Sequence, residues 1–446
     1  MLRTPTISRR TAPFAAIGAL TALALATWSC GGSAGTTSYS NPITTTGTGS
    51  ALVDAATLAK WTDEGKVNAP LGTADRVVVV SVTTPANFLS TTRKHIPDAF
   101  LLDSGTELSM TREEGLGPAT TMMLAGPQMD ALVQKLGIDG STTIVLTHPK
   151  GSTDSEHLQP AVAYWTLRYW GFPRERVKML NGGDDAWEVA GRPLTDAALV
   201  PTPSTFSVTS NKVLKDTLRF SVGEVLTLVD QVNRDRSVLN TWQMLDVRGF
   251  TVSPYIANAY RGNGPFQFAP DRVNGETTRN RLYPDEATAL ARLASLPVMD
   301  GTNPVYLSPT KRLISMCGTS FNCAPIFVIF DGILKVAEGN AAMYDGSSTQ
   351  WNNYSVAKIR QAGANATQAN TWAFDAPTAG LASLRAVGTL PAAVPGENPF
   401  IPGLFVYSPS QDEANQIEAA DKAYMAKTSG GSTPGGGGGG STGGGC

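Results

Sequence analysis

One pattern is written twice along this chain, and any fold must accommodate both copies. In the first, the apolar run 143–147 ends at His148. A helical stretch follows at 161–169. Val177-Lys178-Met179-Leu180 then leads into Asn181-Gly182-Gly183, with Trp187 six residues after Asn181. In the second, Leu313-Ile314-Ser315-Met316 ends at Cys317, and the apolar run 325–330 reads as a buried helix. Met343-Tyr344-Asp345-Gly346-Ser347 follows, with Trp351 six residues after Asp345. Short apolar runs rich in β-branched residues read as buried strands. Strands alternating with helices give a parallel sheet with helices on its faces. The repeat is too long for a solenoid. The pattern predicts a tandem α/β protein, each half a small, open, mostly parallel sheet flanked by helices.

The 446 residues leave room for two domains and for extensions at both ends. The predicted organisation is a signal segment over 1–30, a Gly/Ser/Thr-rich tether over 31–50, a first domain over 51–200 and a second over 215–360. A C-terminal extension over 361–428 and a Gly-rich tail over 429–446, expected to be disordered, complete it. The polar, Pro-containing stretch 195–215 links the domains. Within the first, 52–61 reads as helix, 77–82 as strand, and 129–136 as a helix stopped by Gly137. Ser221 and Glu224 form a capping box that opens a helix through Asp230, and 243–248 is the next strand. Ser410 and Glu413 form another, ahead of a helix to Met425 with a charged face. The net charge of -2 and the lack of a basic stripe exclude a nucleic-acid surface.

Arg3, Arg9 and Arg10 ahead of the apolar run 14–26 read as an export signal, too short for a membrane span. Cys30 before Gly31-Gly32 resembles a bacterial lipoprotein processing site. The expected location is therefore outside the cytoplasm, periplasmic or anchored in the outer membrane by lipid on Cys30. Four cysteines, Cys30, Cys317, Cys323 and Cys446, do not make a disulfide framework. With Cys30 lipidated, the three remaining thiols are odd in number, so at least one is free, reactive or paired between chains.

Cys317 stands at the end of a strand, where open α/β sheets place their chemistry. Loop amides and a helix N-terminus favour negative charge there, which stabilises the nucleophilic thiolate. Taken alone, the thiol reads more readily as an inert buried cysteine. Cys323, six residues on, fits either a resolving thiol that closes a disulfide with Cys317 or a small core residue. Cys446 fits a reactive tether, a surface attachment or a chance cysteine.

Cys317-Gly318-Thr319, together with Tyr344-Asp345-Gly346-Ser347 and Trp351, resembles the active loop and following strand-turn of the rhodanese family of sulfurtransferases. His95-Ile96-Pro97-Asp98-Ala99, Tyr164-Trp165-Thr166-Leu167-Arg168 and Gly191-Arg192-Pro193-Leu194 extend the resemblance over most of residues 60–360. It implies that Cys317 carries sulfur as a persulfide, and that the amides of Gly318, Thr319, Ser320, Phe321 and Asn322 surround that sulfur. It implies too that Asp246 fixes the loop and Arg248 holds an anionic substrate. The first domain, with His148 in place of the cysteine and no Asp-x-Arg at Val80-Ser81-Val82, would be the non-catalytic half. The partners are a small sulfur- or selenium-containing substrate, a thiol acceptor and, through Cys30, a membrane. No cofactor and no metal is implied, since His95 and His157 show no ligand spacing with His148. The neutral loop is similar to that of mercaptopyruvate enzymes rather than thiosulfate enzymes. The chain departs from the family after Phe250, where no His-Ile-Pro-Gly turn is recognisable and Arg261 has no assigned place. The Gly-rich tail ending in Cys446 also resembles lipoproteins that accompany selenite and tellurite reduction systems. That resemblance supplies the alternative of a redox accessory protein without sulfur turnover.

Overall fold

The computed structural model describes residues 50–114, 118–252, 255–256, 258–277, 279–351 and 415–427. Cys30, Cys446, the tether, the Gly-rich tail and the Ser410–Glu413 box lie outside the described residues. The first half runs β1 (Leu52–Val53), α1 (Ala55–Asp63), β2 (Val77–Thr83), α2 (Pro85–Phe88) and β3 (Phe100–Asp103). The strands β4 (Met110–Glu113) and β5 (Pro118–Met122) follow, then α3 (Gly126–Lys135), β6 (Thr143–Thr147), α4 (Asp154–Tyr169), β7 (Val177–Leu180) and α5 (Gly183–Val189). The second runs α6 (Val222–Arg234), β8 (Trp242–Asp246), β9 (Tyr260–Arg261), α7 (Glu286–Ser295), β10 (Val298–Asp300), β11 (Asn303–Val305), β12 (Arg312–Met316), α8 (Ala324–Phe327) and β13 (Ala341–Met343). The helix α9 (Gln416–Met425) comes last.

The sheets repeat one order. The first is β1-β7-β6-β2-β3, parallel throughout. The second is β11-β10-β9-β8-β12-β13. Its β13, β12, β8 and β9 are parallel, and β10 and β11 add an antiparallel edge. Thus β7-β6-β2-β3 and β13-β12-β8-β9 are counterparts. The central strands are buried along their whole length, as strands covered on both faces must be.

Local chemistry sets the element ends. The Ser221 hydroxyl accepts the Glu224 N–H at 3.1 Å and the Glu224 carboxylate accepts the Ser221 N–H at 3.0 Å, so the expected capping box opens α6. The expected helix over 52–61 starts later. Leu52 and Val53 pair with Met179 and Leu180 as an edge strand. Asp54 caps α1 by accepting the Thr57 N–H at 2.6 Å, which keeps the chain extended up to that point. After Cys317 a single turn at Phe321–Cys323 feeds α8, which widens into a π-helical turn at Val328–Ile333.

The two halves share one apolar core and a buried polar joint. Tyr164 Oη donates to Asp331 at 2.6 Å. Arg168 Nε and Arg174 Nη2 reach the same carboxylate at 2.9 and 2.8 Å. Trp165 Nε1 donates to the Leu218 carbonyl at 2.8 Å, and the Ala51 N–H to the Gly332 carbonyl at 2.8 Å. The Tyr164–Arg168 sequence is therefore a contact of α4 with the second half. A second buried joint centres on Arg219, which binds Glu114 at 2.7 Å and Asp345 at 2.9 Å. The charged face of α9 turns inward: Asp421 meets Arg112 at 2.6 Å and Tyr169 at 3.0 Å.

Candidate active site

Sheet register aligns the two halves residue by residue. Ser81 pairs with Leu101 and Thr147 in the first sheet, and Asp246 pairs with Arg261 and Met316 in the second. His148 and Cys317 are then equivalent, each following the last residue of its strand. Ser81 and Thr83 stand where Asp246 and Arg248 stand. The same register restores the turn that the sequence hid after Phe250. His95 lies six residues before Leu101, and Tyr255 six before Arg261. Asp98 and Asn258 both take left-handed backbone, with φ of 66° and 65°. Ala99 N–H bonds Ile96 O at 3.2 Å, and Ala259 N–H bonds Ile256 O at 3.3 Å. Asn tolerates that conformation as Asp does, so the turn needs no glycine.

Cys317 is fully buried, as is Cys323. Their sulfurs lie 3.8 Å apart, and Ser347 Oγ is 3.8 Å from Cys317 Sγ. Burial pushes the Cys317 thiol up. Hydrogen bonds from the Cys323 thiol, the Thr319 N–H, the Ser347 hydroxyl and the Cys323 N–H outweigh it and bring the thiol down to about 7. Cys323 moves the other way: burial first, then its bond to Cys317, holds it well above the ordinary thiol range. Cys323 stays a protonated thiol, its Sγ donating to the Ser320 carbonyl at 2.8 Å and lying 3.8 Å from the Cys317 sulfur.

The loop does this with fewer amides than expected. Ser320 N–H donates to Ser347 Oγ at 3.3 Å and Phe321 N–H to Thr319 O at 2.9 Å, so neither faces the sulfur. Ser320 takes a left-handed φ of 69°, and its hydroxyl donates to Thr121 O of β5 at 3.0 Å. Gly318 O accepts from Thr349 Oγ1 at 3.0 Å. Phe321 and Asn322 are half-buried at the rim. Ser347 also accepts the Cys317 N–H at 3.2 Å. It escaped the sequence reading as a site residue, although it lies in the quoted Tyr344–Ser347 motif.

Arg248 is held by Asp246, with Nε 3.0 Å from Oδ1 and Nη2 2.8 Å from Oδ2, and its guanidinium lies 4.9 Å from the Tyr255 ring centre. Burial lowers the Arg248 pKa, but the Asp246 carboxylate more than offsets it, and Cys317 adds to that rise. Arg248 thus sits within electrostatic range of the sulfur. Arg261 is directed away, donating to the Phe250 and Gly301 carbonyls. In the first half the His148 ring lies 4.5 Å from that of His157, a contact the sequence spacing did not foretell because α4 brings His157 back. Burial lowers His148 to about 4, so it is a neutral imidazole at neutral pH.

No family model matches the chain. Curated proteins do. The chain is 23% identical over 279 residues to the sulfur carrier protein TtuD of Thermus thermophilus, spanning 58% of this chain and 82% of that one. It is 27% identical over 309 residues to the Mycobacterium bovis protein named "Putative thiosulfate sulfurtransferase 1", spanning 68% and 96%. Among solved structures it resembles SseA from Escherichia coli at 18% identity and a TM-score of 0.46, over 67% of this chain and 98% of that one. Over about two thirds of its length the chain is thus similar to proteins named as a sulfur carrier and as thiosulfate sulfurtransferases.

Proposed function

We propose that the protein transfers sulfane sulfur through a persulfide on Cys317. The observation that carries the reading is a buried thiol at a strand end, with Cys323 Sγ and Ser347 Oγ each 3.8 Å away and its pKa lowered to about 7. In the first half-reaction the Cys317 thiolate attacks the donor sulfur. With mercaptopyruvate the C–S bond breaks and its electron pair leaves as the pyruvate enolate, which is protonated. The sulfur stays on Cys317 as a persulfide. An acceptor thiolate then attacks the outer sulfur, the S–S bond breaks, and Cys317 returns as thiolate. Mercaptopyruvate suits the site better than thiosulfate. Arg248 is already tied to Asp246, Arg261 is spent on carbonyls, and the loop is neutral, so a dianion meets little net positive charge.

The 3.8 Å sulfur pair favours a second reading, a dithiol that supplies two electrons by closing Cys317–Cys323. Taking selenite to elemental selenium needs four electrons, so this route requires two rounds of closure and an external thiol to reopen the disulfide. Export and lipidation at Cys30 belong to the proposal on the strength of Arg3, Arg9, Arg10, the apolar run 14–26 and Gly31-Gly32. Labelled palmitate incorporated by the wild type and lost in Cys30→Ser tests it.

The decisive experiment incubates reduced protein with mercaptopyruvate, thiosulfate or selenite separately and weighs the Cys317 peptide. One added sulfur, removed by a thiol, is the expected result. A disulfide formed only with selenite supports the second reading. An unmodified thiol with every donor overturns both.

A further inference from the structure

Tyr255 is more than nine-tenths buried, yet its hydroxyl finds no hydrogen-bond partner among the described residues. A buried polar atom left unmade costs free energy, and such atoms in native folds call for an explanation. Its counterpart by register, His95, stacks on Phe88 and meets the Phe88 carbonyl through Nδ1 at 2.7 Å, while its Nε2 is likewise without a partner among the described residues. The first-half residue thus has one polar atom anchored to the turn, whereas the single polar atom of Tyr255 has no anchor among the described residues.

The Tyr255 ring is fixed against the Arg248 guanidinium, 4.9 Å from its centre, and Arg248 is fixed in turn by Asp246 at the end of β8. That strand neighbours β12, which delivers Cys317. Burial above all, then the neighbouring Tyr344, Asp246, Cys317 and Cys323, keeps the Tyr255 phenol protonated far above neutral pH. A neutral phenol on an immobilised ring, within electrostatic range of the thiolate, is a hydrogen-bond donor without an acceptor.

We propose that the acceptor is the sulfur in transit: Tyr255 Oη donates a hydrogen bond to the sulfane sulfur as it passes onto Cys317. This rests on the persulfide reading and adds a catalytic residue to it. The hydroxyl stays protonated throughout, so no proton is transferred. It is the complement of the contacts at Cys317 Sγ, since the Cys323 sulfur, Thr319 N–H and Ser347 Oγ neighbour that sulfur itself and not an atom beyond it.

The test is single-turnover sulfur loading of full-length protein from mercaptopyruvate, followed by mass, in wild type and Tyr255→Phe. Phenylalanine keeps the ring over Arg248. The expected loss is roughly 10- to 100-fold in loading rate, the worth of a hydrogen bond to a charged group. Iodoacetamide alkylation of Cys317 should meanwhile keep its rate and pH midpoint, because the thiol's own donors are untouched. Wild-type loading by Tyr255→Phe overturns the inference and leaves the persulfide reading intact. An equal fall in loading and alkylation also overturns it, by placing the effect on the thiol. A wild type that takes up no sulfur overturns both. Should Tyr255→Phe melt early, Tyr255→His, which restores the first-half residue and an N–H donor, is read instead, and it should load faster than Tyr255→Leu.

Discussion

Ser347 stands four residues beyond Met343 as Gly183 stands four beyond Met179, and both take left-handed backbone, with φ of 49° and 54°. In the first half a Cβ at Gly183 would come within 2.6 Å of the His148 ring. Cysteine at the equivalent position is smaller, and the serine hydroxyl occupies that space beside the sulfur. The serine accepts an uncommon backbone conformation that glycine adopts freely, as strained residues at functional sites do. Ser347→Ala keeps the backbone atoms and removes the hydroxyl. The Cys317 thiol should rise above about 7, read as an upward shift in the pH midpoint of alkylation. An unmoved midpoint would show that the hydroxyl only props the loop.

The lowered thiol sets a pH window. Cys317 reacts as thiolate, so sulfur uptake should rise with pH through about 7 and level off above it. The folded-state value lies below that of an unfolded thiol. Ionisation therefore stabilises the fold, fully above the unfolded value and less as pH falls through about 7. Loading rates across pH 5 to 9 would measure this, and a midpoint near that of a free thiol would contradict it.

Cys323 neighbours Cys317 at 3.8 Å both as a polar contact and as a partner for oxidation. Cys323→Ala should raise the Cys317 midpoint. It should also abolish the internal disulfide that the wild type forms with a mild oxidant, seen as a mass loss of two hydrogens. Formation of that mass loss in Cys323→Ala would point to a different partner thiol.

The joint between halves is open to a stability test. Asp331→Ala leaves Arg168 buried without its carboxylate. Removing one side of such a pair costs about 3 to 5 kcal/mol. Denaturant unfolding should show a loss of that size, while an unchanged midpoint would mean that the arginine finds water or another acceptor.

Strands, the repeat and the strand-end position of Cys317 were legible because buried parallel strands announce themselves as apolar runs, and the Asn181/Trp187 and Asp345/Trp351 spacings repeat. The Ser221–Glu224 capping box was legible because its chemistry is local. Tyr255 was not, since a Pro-Tyr-Ile-Ala-Asn-Ala segment loses its likeness to His-Ile-Pro-Asp-Ala until strand pairing supplies the register. The contact of His148 with His157 was hidden for a similar reason: a loop and the first turn of α4 bring together residues nine apart. The loop amides were over-read, because sequence cannot tell which N–H a left-handed Ser320 diverts to Ser347.

Cys317 presents no surface to solvent, and the loop over it is tied to β5 through Ser320 and Thr121. Cargo parked on such an atom would meet peroxide, donors and acceptor thiols alike only when the enclosure opens. Its lifetime becomes a property of the enclosure rather than of the sulfur–sulfur bond. Delivery then follows the breathing of that enclosure, so thickening the medium should slow an acceptor more than strengthening its nucleophile would speed it.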